Sequence, residues 1–199
     1  MPHKKLHLGC FDTPLVGWHN TDITPHIFIA RIPMLPFFLF RTGLMSAERY
    51  EQHKKQVFKN VRYLDVSRRF PFSENIFDYV FTSHMLEHLH PWQSEFCLRE
   101  IYRVMKPGGI VRVAVPDLDK MIASYNPKSS HKFLNAFFES DQKNPKNQHH
   151  WHYNENLLGQ LFCDIGFAKK SRCDFQQGDC VDIELLDNRP ESLFMEAQK

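Results

Sequence analysis

Short apolar runs alternate with amphipathic stretches along the chain, and glycine, proline or acidic residues bound the runs. Such runs are typical of buried strands, whereas apolar positions three and four residues apart indicate a helix. We predict seven strands, at residues 5–9, 17–23, 61–65, 76–83, 110–115, 168–175 and 192–197.

The clearest helical pattern covers residues 91–105, with apolar residues at Phe96, Ile101 and Val104 and with Leu98 and Met105 completing the predicted face. The sequence Lys-Pro-Gly-Gly at 106–109 ends this helix, because proline cannot continue a helix and glycine favours the turn that follows. Further helices are predicted at residues 46–59, 133–138 and 154–163.

Strands that alternate with helices predict an α/β fold, with a mostly parallel sheet and helices on both faces. The 199 residues suit one domain, residues 1–199. Two segments interrupt the pattern: a lid-like insertion at 25–59 and a polar excursion at 126–153. Ligands of such sheets bind beyond the carboxyl ends of the strands, so the residues that follow each strand are the functional candidates.

Composition narrows the class of protein. The formal net charge is only +2 and no long basic block is present, so nucleic acid is not an expected partner. Five scattered cysteines without a Cys-x-x-Cys pair argue against a disulfide scaffold or a zinc ribbon and favour the reducing cytoplasm. No signal peptide is expected. Arginines and prolines within the apolar stretch 27–44 argue against a membrane-spanning helix.

Three residues that follow predicted strands could hold a nucleotide-like ligand. Gly9 permits close approach of the backbone to a ligand. Asp22 could accept both hydroxyls of a ribose, and Asp65 could accept from an exocyclic amine such as that of adenine. Each also has an ordinary interpretation: a turn for Gly9, a helix cap or surface acid for Asp22, and a turn leading into Ser67 for Asp65.

Seven motifs occur in order between residues 5 and 117. They are Leu-His-Leu-Gly-Cys (6–10), Gly-Trp-His-Asn-Thr-Asp (17–22), Tyr-Leu-Asp (63–65), Phe-Pro-Phe (70–72), Phe-Asp-Tyr-Val (77–80), Ser-His-Met-Leu-Glu-His-Leu (83–89) and Leu-Arg-Glu-Ile-Tyr-Arg-Val-Met-Lys-Pro-Gly-Gly (98–109). The ordered set resembles the class I S-adenosylmethionine-dependent methyltransferases. More narrowly it resembles the methyltransferase type 11 group, some members of which are thought to serve surface-polysaccharide synthesis.

The resemblance implies a Rossmann-like, seven-stranded fold with S-adenosylmethionine as cofactor. It implies direct in-line transfer of a methyl group to a small molecule or to a glycan or polysaccharide precursor. Ser83 and His84 would lie beside the methionine and the sulfonium. The full set of implied cofactor-binding residues is Leu8, Gly9, Cys10, Asp22, Ile23, Asp65, Val66, Ser83 and His84.

Within this set, Gly9 and Cys10 would line the loop under the methionine part, and Asp22 would hold the ribose. Asp65 and the backbone of Val66 would bind the adenine.

The first loop departs from the family pattern. The family usually continues with glycines where this chain has Phe11 and Thr13, and phenylalanine tolerates fewer backbone angles than glycine. An alternative is therefore a non-catalytic Rossmann-like binding protein with a degraded cofactor loop. Asp22 and Asp65 argue against that alternative, because a chain that had abandoned the cofactor need not keep both.

The sequence at 84–88 matches the zinc-protease pattern His-x-x-Glu-His. On a helix, His84 and His88 would share one face and could bind zinc, with Glu87 as base and Glu139 or Glu155 as a third ligand. The methyltransferase turn explains the same residues, so a zinc hydrolase is a distant alternative and no metal site is predicted. The histidine cluster at 149–152 could bind a metal ion or simply face solvent. The resemblance implies that the stretch 149–153 faces the acceptor pocket, and we favour pocket lining over metal binding.

A hydroxyl acceptor would need a base nearby. The candidates are His84, His88, Asp117 and His150, although Asp117 could equally cap the helix that follows it. The apolar segment 34–40 either packs on the core, contacts a second subunit in a homodimer, or receives a bulky or lipid-linked acceptor at a membrane surface.

Overall fold

The computed structural model describes residues 3–139 and 147–199. Its strands are β1 (Lys5–Leu8), β2 (His19–Asp22), β3 (Val61–Tyr63), β4 (Phe77–Ser83), β5 (Met105–Val115), β6 (Lys169–Cys173) and β7 (Leu193–Gln198). They form one seven-stranded sheet in the order β3-β2-β1-β4-β5-β7-β6. Neighbouring strands from β3 to β5 pair in parallel, and β7 runs antiparallel to both of its neighbours. The predicted fold class is confirmed.

The strand order places the site. The chain moves outward from β1 to β2 and β3, then returns to add β4 and β5 on the other side of β1. The loops that leave β1 and β4 therefore diverge to opposite sides of the sheet, and a crevice opens beyond their carboxyl ends.

The helices are α1 (His26–Ile29), α2 (Leu35–Arg41), α3 (Ala47–Lys54), α4 (Pro91–Val104), α5 (Leu118–Ala123), α6 (Ser130–Phe138), α7 (Glu155–Ile165) and α8 (Ile183–Leu186). The predicted helix at 91–105 is α4, and its apolar face buries Leu98, Ile101 and Val104 against the sheet. The prediction that Phe96 belongs to this face is wrong, since its side chain is exposed. The predicted helix at 46–59 divides, because Gln56 adopts a left-handed backbone (φ 57°) and the chain continues as a short 3-10 turn.

The sheet has an apolar core on each face, and β4 contributes to both. Val80 belongs to the main core with α4 and α7, while Tyr79 and Phe81 face a second core around Trp18. This alternation is what a strand with side chains pointing to opposite faces requires when both faces are covered.

A buried arginine on the sheet holds the carboxyl-terminal segments of the chain together. Arg112 on β5 is fully buried, and its guanidinium donates to both carboxylate oxygens of Asp187, with Nε at 2.8 Å from Oδ1. It also donates to Glu196 Oε1 on β7 at 2.7 Å and to the carbonyl oxygen of Gln177 at 3.0 Å. One side chain thus fixes residues 174–188 against the sheet.

The middle of the apolar insertion at 25–59 does not pack into the core of the domain. Helix α2 has no buried residue, and Met34, Phe38 and Leu44 are among the most exposed large apolar side chains. Its contacts are with α3, where the rings of Phe40 and Tyr50 stack with centroids 4.7 Å apart. The expectation that segment 34–40 packs on the domain core is therefore wrong.

The polar excursion at 126–153 is described except for residues 140–146, which lie outside the described part of the chain. Its predicted helix at 133–138 begins three residues earlier, as α6. Among the residues that the structure describes, no helix is both long enough and apolar enough to cross a bilayer.

We expect Arg112→Met to lower the free energy of unfolding by about 3–5 kcal/mol, because it leaves two carboxylates buried without their counter-charge. The measurement is urea denaturation at neutral pH. The matched control is Arg99→Met, which breaks an exposed pair with Glu95 and should cost less than about 1 kcal/mol. Equal effects of the two substitutions would contradict the structural role given to Arg112.

Candidate cofactor and acceptor site

A cleft of about 1340 Å³ opens at the carboxyl ends of the parallel strands. This exceeds the ~300–1,000 Å³ of an ordinary small-ligand pocket, so the cleft has room for two ligands side by side. Eleven of the predicted site residues line it: Gly9, Cys10, Asp22, Ile23, Asp65, Val66, Ser83, His84, His88, Asp117 and His150. The side chain of Leu8, by contrast, is fully buried in the main core behind the loop.

The loop after β1 requires a glycine at position 9. Gly9 has φ +66°, and a Cβ built there would lie 2.8 Å from Cγ of Met85. Both the backbone angle and the close approach exclude a side chain. Next to it, burial raises the pKa of the Cys10 thiol to about 12, and the nearby Asp22 carboxylate adds to the rise. Cys10 is therefore a neutral wall of the loop.

Asp22 connects the loops that follow β1 and β2. Its Oδ2 accepts from the backbone N–H of Phe11 at 2.9 Å, and its Oδ1 accepts from the backbone N–H of Thr24 at 2.7 Å. Burial raises the pKa of this carboxyl group, and the hydrogen bonds from Phe11 and Thr24 oppose the rise. The remaining lone pairs of the carboxylate are those that a ribose could use.

Phe11 adopts the backbone conformation that glycine would favour at this place. Its φ is +41°, and its side chain is 38% exposed. The guanidinium of Arg49 lies 4.4 Å from the ring centroid, within the range of a cation–π contact. The ring of Phe58 is 6.4 Å away. Phenylalanine in place of the family's glycine thus keeps the conformation of the turn, and its ring adds contacts with Arg49 and Phe58.

The insertion lies beside this loop. Arg49 Nη1 and Gln52 Nε2, both on α3, donate to Oδ2 of Asp12 at 2.6 and 2.9 Å. Residues 25–59 are all described, and none of them lines the cleft. In this structure the insertion braces the cofactor loop from outside and does not cover the cleft as a lid.

Asp65 forms a turn that leads into Ser67, as its ordinary interpretation predicted. Its Oδ1 accepts from the N–H of Ser67 at 3.0 Å and from the hydroxyl of Ser67 at 2.7 Å. Its Oδ2 lies 3.1 Å from Nε of Arg68. The turn holds the carboxylate on the cleft wall beside Val66, where the resemblance places the adenine.

The His-x-x-Glu-His segment is not an α-helix. His84 has φ 49°, and Leu86–His88 form a single 3-10 turn, so the two histidines do not share a helix face. Nε2 of His84 lies 2.8 Å from the hydroxyl of Ser192, at the start of β7. The zinc-protease geometry that the spacing suggested is therefore absent from this described segment.

Asp117 acts as a helix cap. Its Oδ1 accepts from the N–H groups of Asp119 and Lys120 at the start of α5, and its Oδ2 accepts from Nη2 of Arg172 at 3.0 Å. The capping interpretation is confirmed, and Arg172 pairs with the oxygen that caps nothing, while Asp117 still lines the cleft.

The far wall of the cleft comes from the polar excursion. Its backbone is fixed by the carbonyl oxygen of Glu87, which accepts from the N–H groups of His150 and Trp151 at 2.7 and 3.2 Å. The imidazole of His150 stacks on that of His90 with centroids 4.3 Å apart. His88 and His150 thus face the cleft opposite the loop of Gly9.

Sequence reasoning did not identify several residues that form the candidate site or support its loop. Glu87 was considered only as a hydrolase base, yet it is fully buried in the wall of the cleft. Met85, which packs against Gly9, and Arg49, which covers Phe11, come from segments distant in the chain. Neither local pattern nor spacing marks such contacts.

The fold and the cleft define the class: a Rossmann-like α/β protein with a ligand site at the carboxyl ends of β1 to β5. The family described as "Methyltransferase domain" matches residues 42–113, just over a third of the chain. The predicted resemblance to the methyltransferase type 11 group is confirmed over this segment. The matched segment begins after the loops of Gly9 and Asp22.

Solved structures with the same fold are distant in sequence. An S-adenosylmethionine-dependent methyltransferase from Thermotoga maritima is 14% identical (TM-score 0.56) and aligns with 100% of this chain and 83% of its own. One from Archaeoglobus fulgidus is 16% identical (TM-score 0.57), with 99% and 86% covered. A phosphoethanolamine N-methyltransferase from Haemonchus contortus is 16% identical (TM-score 0.54), and this chain spans 48% of its length. No curated protein sequence matches the chain.

We expect Gly9→Ala to abolish tight binding of S-adenosylhomocysteine and to destabilise the fold, since the new methyl group meets Met85 and the φ is unfavourable for alanine. The matched control is Gly43→Ala. Gly43 has φ +76° but no atom within 4 Å of a built Cβ, so this substitution carries only the backbone strain, about 1–2 kcal/mol. Calorimetric titration and urea denaturation separate the two effects. If both variants bind the ligand as the unmodified protein does, the close approach at Gly9 has no role in binding.

Proposed function

We propose that this protein is an S-adenosylmethionine-dependent methyltransferase. It would bind the cofactor between Gly9, Asp22 and Asp65 and methylate a small molecule or a glycan precursor held against the wall at 147–153. The observation that carries the proposal is the position of Asp22. Its carboxylate lies at the end of β2, partly buried, and holds the loop of Gly9 while facing the cleft. A cytoplasmic location accords with five free cysteines.

The residues present fit the cofactor. Gly9 lines the cleft with backbone alone, and Asp22 and Asp65 offer carboxylate oxygens at the ends of adjacent strands. When bound, S-adenosylmethionine supplies a methyl carbon to which the acceptor lone pair bonds while the carbon–sulfur electron pair returns to sulfur and the acceptor proton leaves. Alignment of the two reactants supplies much of the rate in such reactions.

The far wall determines which acceptor can approach. His88 and His150 present imidazoles to the cleft, and His84 is engaged with Ser192. Imidazole nitrogens can hydrogen-bond to hydroxyl or amine groups and can receive a proton. We assign the acceptor-side base to His88 or His150, and we set Asp117 aside because it caps α5.

Asp22→Ala should weaken binding of S-adenosylhomocysteine by about 10- to 100-fold, as expected for loss of charge-assisted hydrogen bonds to a ligand. The measurement is calorimetric titration. Asp164→Ala is the control, because Asp164 is an exposed acid on α7 whose side chain bonds only to Gln160 in the described structure. Unchanged affinity in Asp22→Ala would refute the ribose assignment. Failure of the unmodified protein to bind at millimolar ligand would favour the non-catalytic alternative.

The acceptor class is tested by transfer of labelled methyl groups. The panel starts with sugars and glycan precursors and includes small amines, since one structural neighbour is named as a phosphoethanolamine N-methyltransferase. Variants His88→Gln and His150→Gln assayed on a positive acceptor identify the side chain that matters. Loss of turnover with retained binding of S-adenosylhomocysteine marks an acceptor-side role.

The exposed apolar surface of α2 supports a lipid-linked form of the acceptor. Phe37, Phe38 and Phe40 project from a helix that buries nothing, and Arg31 and Arg41 flank it with positive charge. Aromatic and basic residues together are typical of segments that lie on an anionic membrane. Phe38→Ser should abolish sedimentation with vesicles of anionic phospholipid. A concentration-dependent dimer with no vesicle binding would instead assign the surface to a second subunit.

A further inference from the structure

Glu87 is an acid that methyl transfer as described above does not use. Its side chain is 0% exposed, and neither carboxylate oxygen has a hydrogen-bond partner in the described parts of the chain. Nδ1 of His84 lies 3.2 Å from Oε1 but not in hydrogen-bonding geometry. Buried carboxylates are retained when a cation or hydrogen-bond donors compensate the lost hydration. The group therefore indicates a positively charged ligand.

Two histidines face this carboxylate. One ligand atom from each of Glu87, His88 and His149 lies within 4.8 Å of the other two. The rings of His88 and His149 meet edge to face with centroids 5.0 Å apart. Two imidazoles and one carboxylate form a common ligand set for zinc and related transition-metal ions.

The second nitrogen of each imidazole is already occupied. Nδ1 of His88 lies 3.3 Å from the carbonyl oxygen of Gln148, which leaves Nε2. Nε2 of His149 lies 2.7 Å from Oε2 of Glu139, which leaves Nδ1, and that atom is buried without a partner in the described structure. Histidines that bind metals donate their other N–H to a carbonyl or carboxylate in this way.

We propose that Glu87, His88 and His149 bind one divalent transition-metal ion of the zinc type, with an open position toward the cleft. Ligands at ~2.0–2.2 Å from zinc lie about 3.3–3.5 Å from one another, so the three side chains move together by about 1 Å on binding. The site differs from the His-x-x-Glu-His pattern, because His84 bonds to Ser192 and the third ligand comes from the excursion.

This metal site would add to the proposed function. The role that we give to the metal ion rests on the proposed function, but binding of the ion does not. The three ligands line the same cleft as Gly9 and Asp22, on the acceptor side. A metal ion there would bind an acceptor hydroxyl, orient it and favour loss of its proton. Because His88 would then be a metal ligand, the acceptor-side base would be His150.

The test uses the full chain, stripped with a chelator and free of cofactor and acceptor, titrated with Zn²⁺ by calorimetry and with Co²⁺ by visible absorption. We expect one ion per chain with a micromolar or lower Kd. Glu87→Gln and His149→Gln should each weaken binding by at least about 100-fold, and Glu139→Gln by about 10-fold. His150→Gln, a neighbouring histidine outside the set, should retain the affinity within about threefold.

Several outcomes overturn the proposal: no binding below millimolar metal, unchanged affinity in Glu87→Gln, or an equal loss in His150→Gln. The last two would mean that exposed histidines hold the ion. If Glu87→Gln does not fold, as judged by its thermal transition, His149→Gln decides on the same criteria. Because no cofactor is present, a negative result leaves the test of Asp22 untouched, and loss of cofactor binding in Asp22→Ala leaves metal binding unchanged.

Discussion

The carboxyl-terminal half of the cleft depends on one constraint, the positive charge of Arg112. This charge is buried between the sheet and the segment 174–188. Asp187 and Glu196 neutralise it, and the N–H groups of Gln176 and Asp179 donate to the same carboxylates. Removal of one partner from such a group leaves the others buried and uncompensated. The network therefore holds residues 174–188 in one place at the rim of the cleft.

The hydrogen-bond network of Arg112 is connected to the wall of the cleft through a few residues. After Asp187 the chain passes along the cleft at residues 188–192 and enters β7, where the hydroxyl of Ser192 meets His84. His84 in turn lies against the buried carboxylate of Glu87. The ion pair of Arg112 is thus connected through residues 187–192 to the wall of the cleft at His84 and Glu87, so loss of the ion pair is expected to disturb that wall.

Much of the fold follows from local sequence, and the buried polar contacts do not. The apolar run of β4 and the helical pattern of α4 predict their elements because periodicity acts within a few residues. The Lys-Pro-Gly-Gly segment at 106–109 follows the end of α4 at Val104 but is part of β5, which begins at Met105, five residues before the predicted strand. Arg112 interrupts an apolar strand, and its partners lie 75 and 84 residues away, so no local pattern identifies it as buried. The spacing of His84 and His88 was misleading for a similar reason: the left-handed backbone of His84 is set by the end of β4, and it breaks the helical period.

Phe11 bears most directly on whether the cofactor loop is intact. A degraded loop would be expected to return to a backbone conformation with negative φ at residue 11 and to lose its hydrogen bond to Asp22. Instead Phe11 keeps φ at +41°, its N–H donates to Asp22, and Arg49 covers its ring. A left-handed backbone costs a bulky residue roughly 1–2 kcal/mol, and a cation–π contact of about 0.5–2 kcal/mol is of the same size and opposite sign. The substitution for glycine is therefore offset locally by the insertion, which explains how the turn keeps its left-handed conformation with phenylalanine in place.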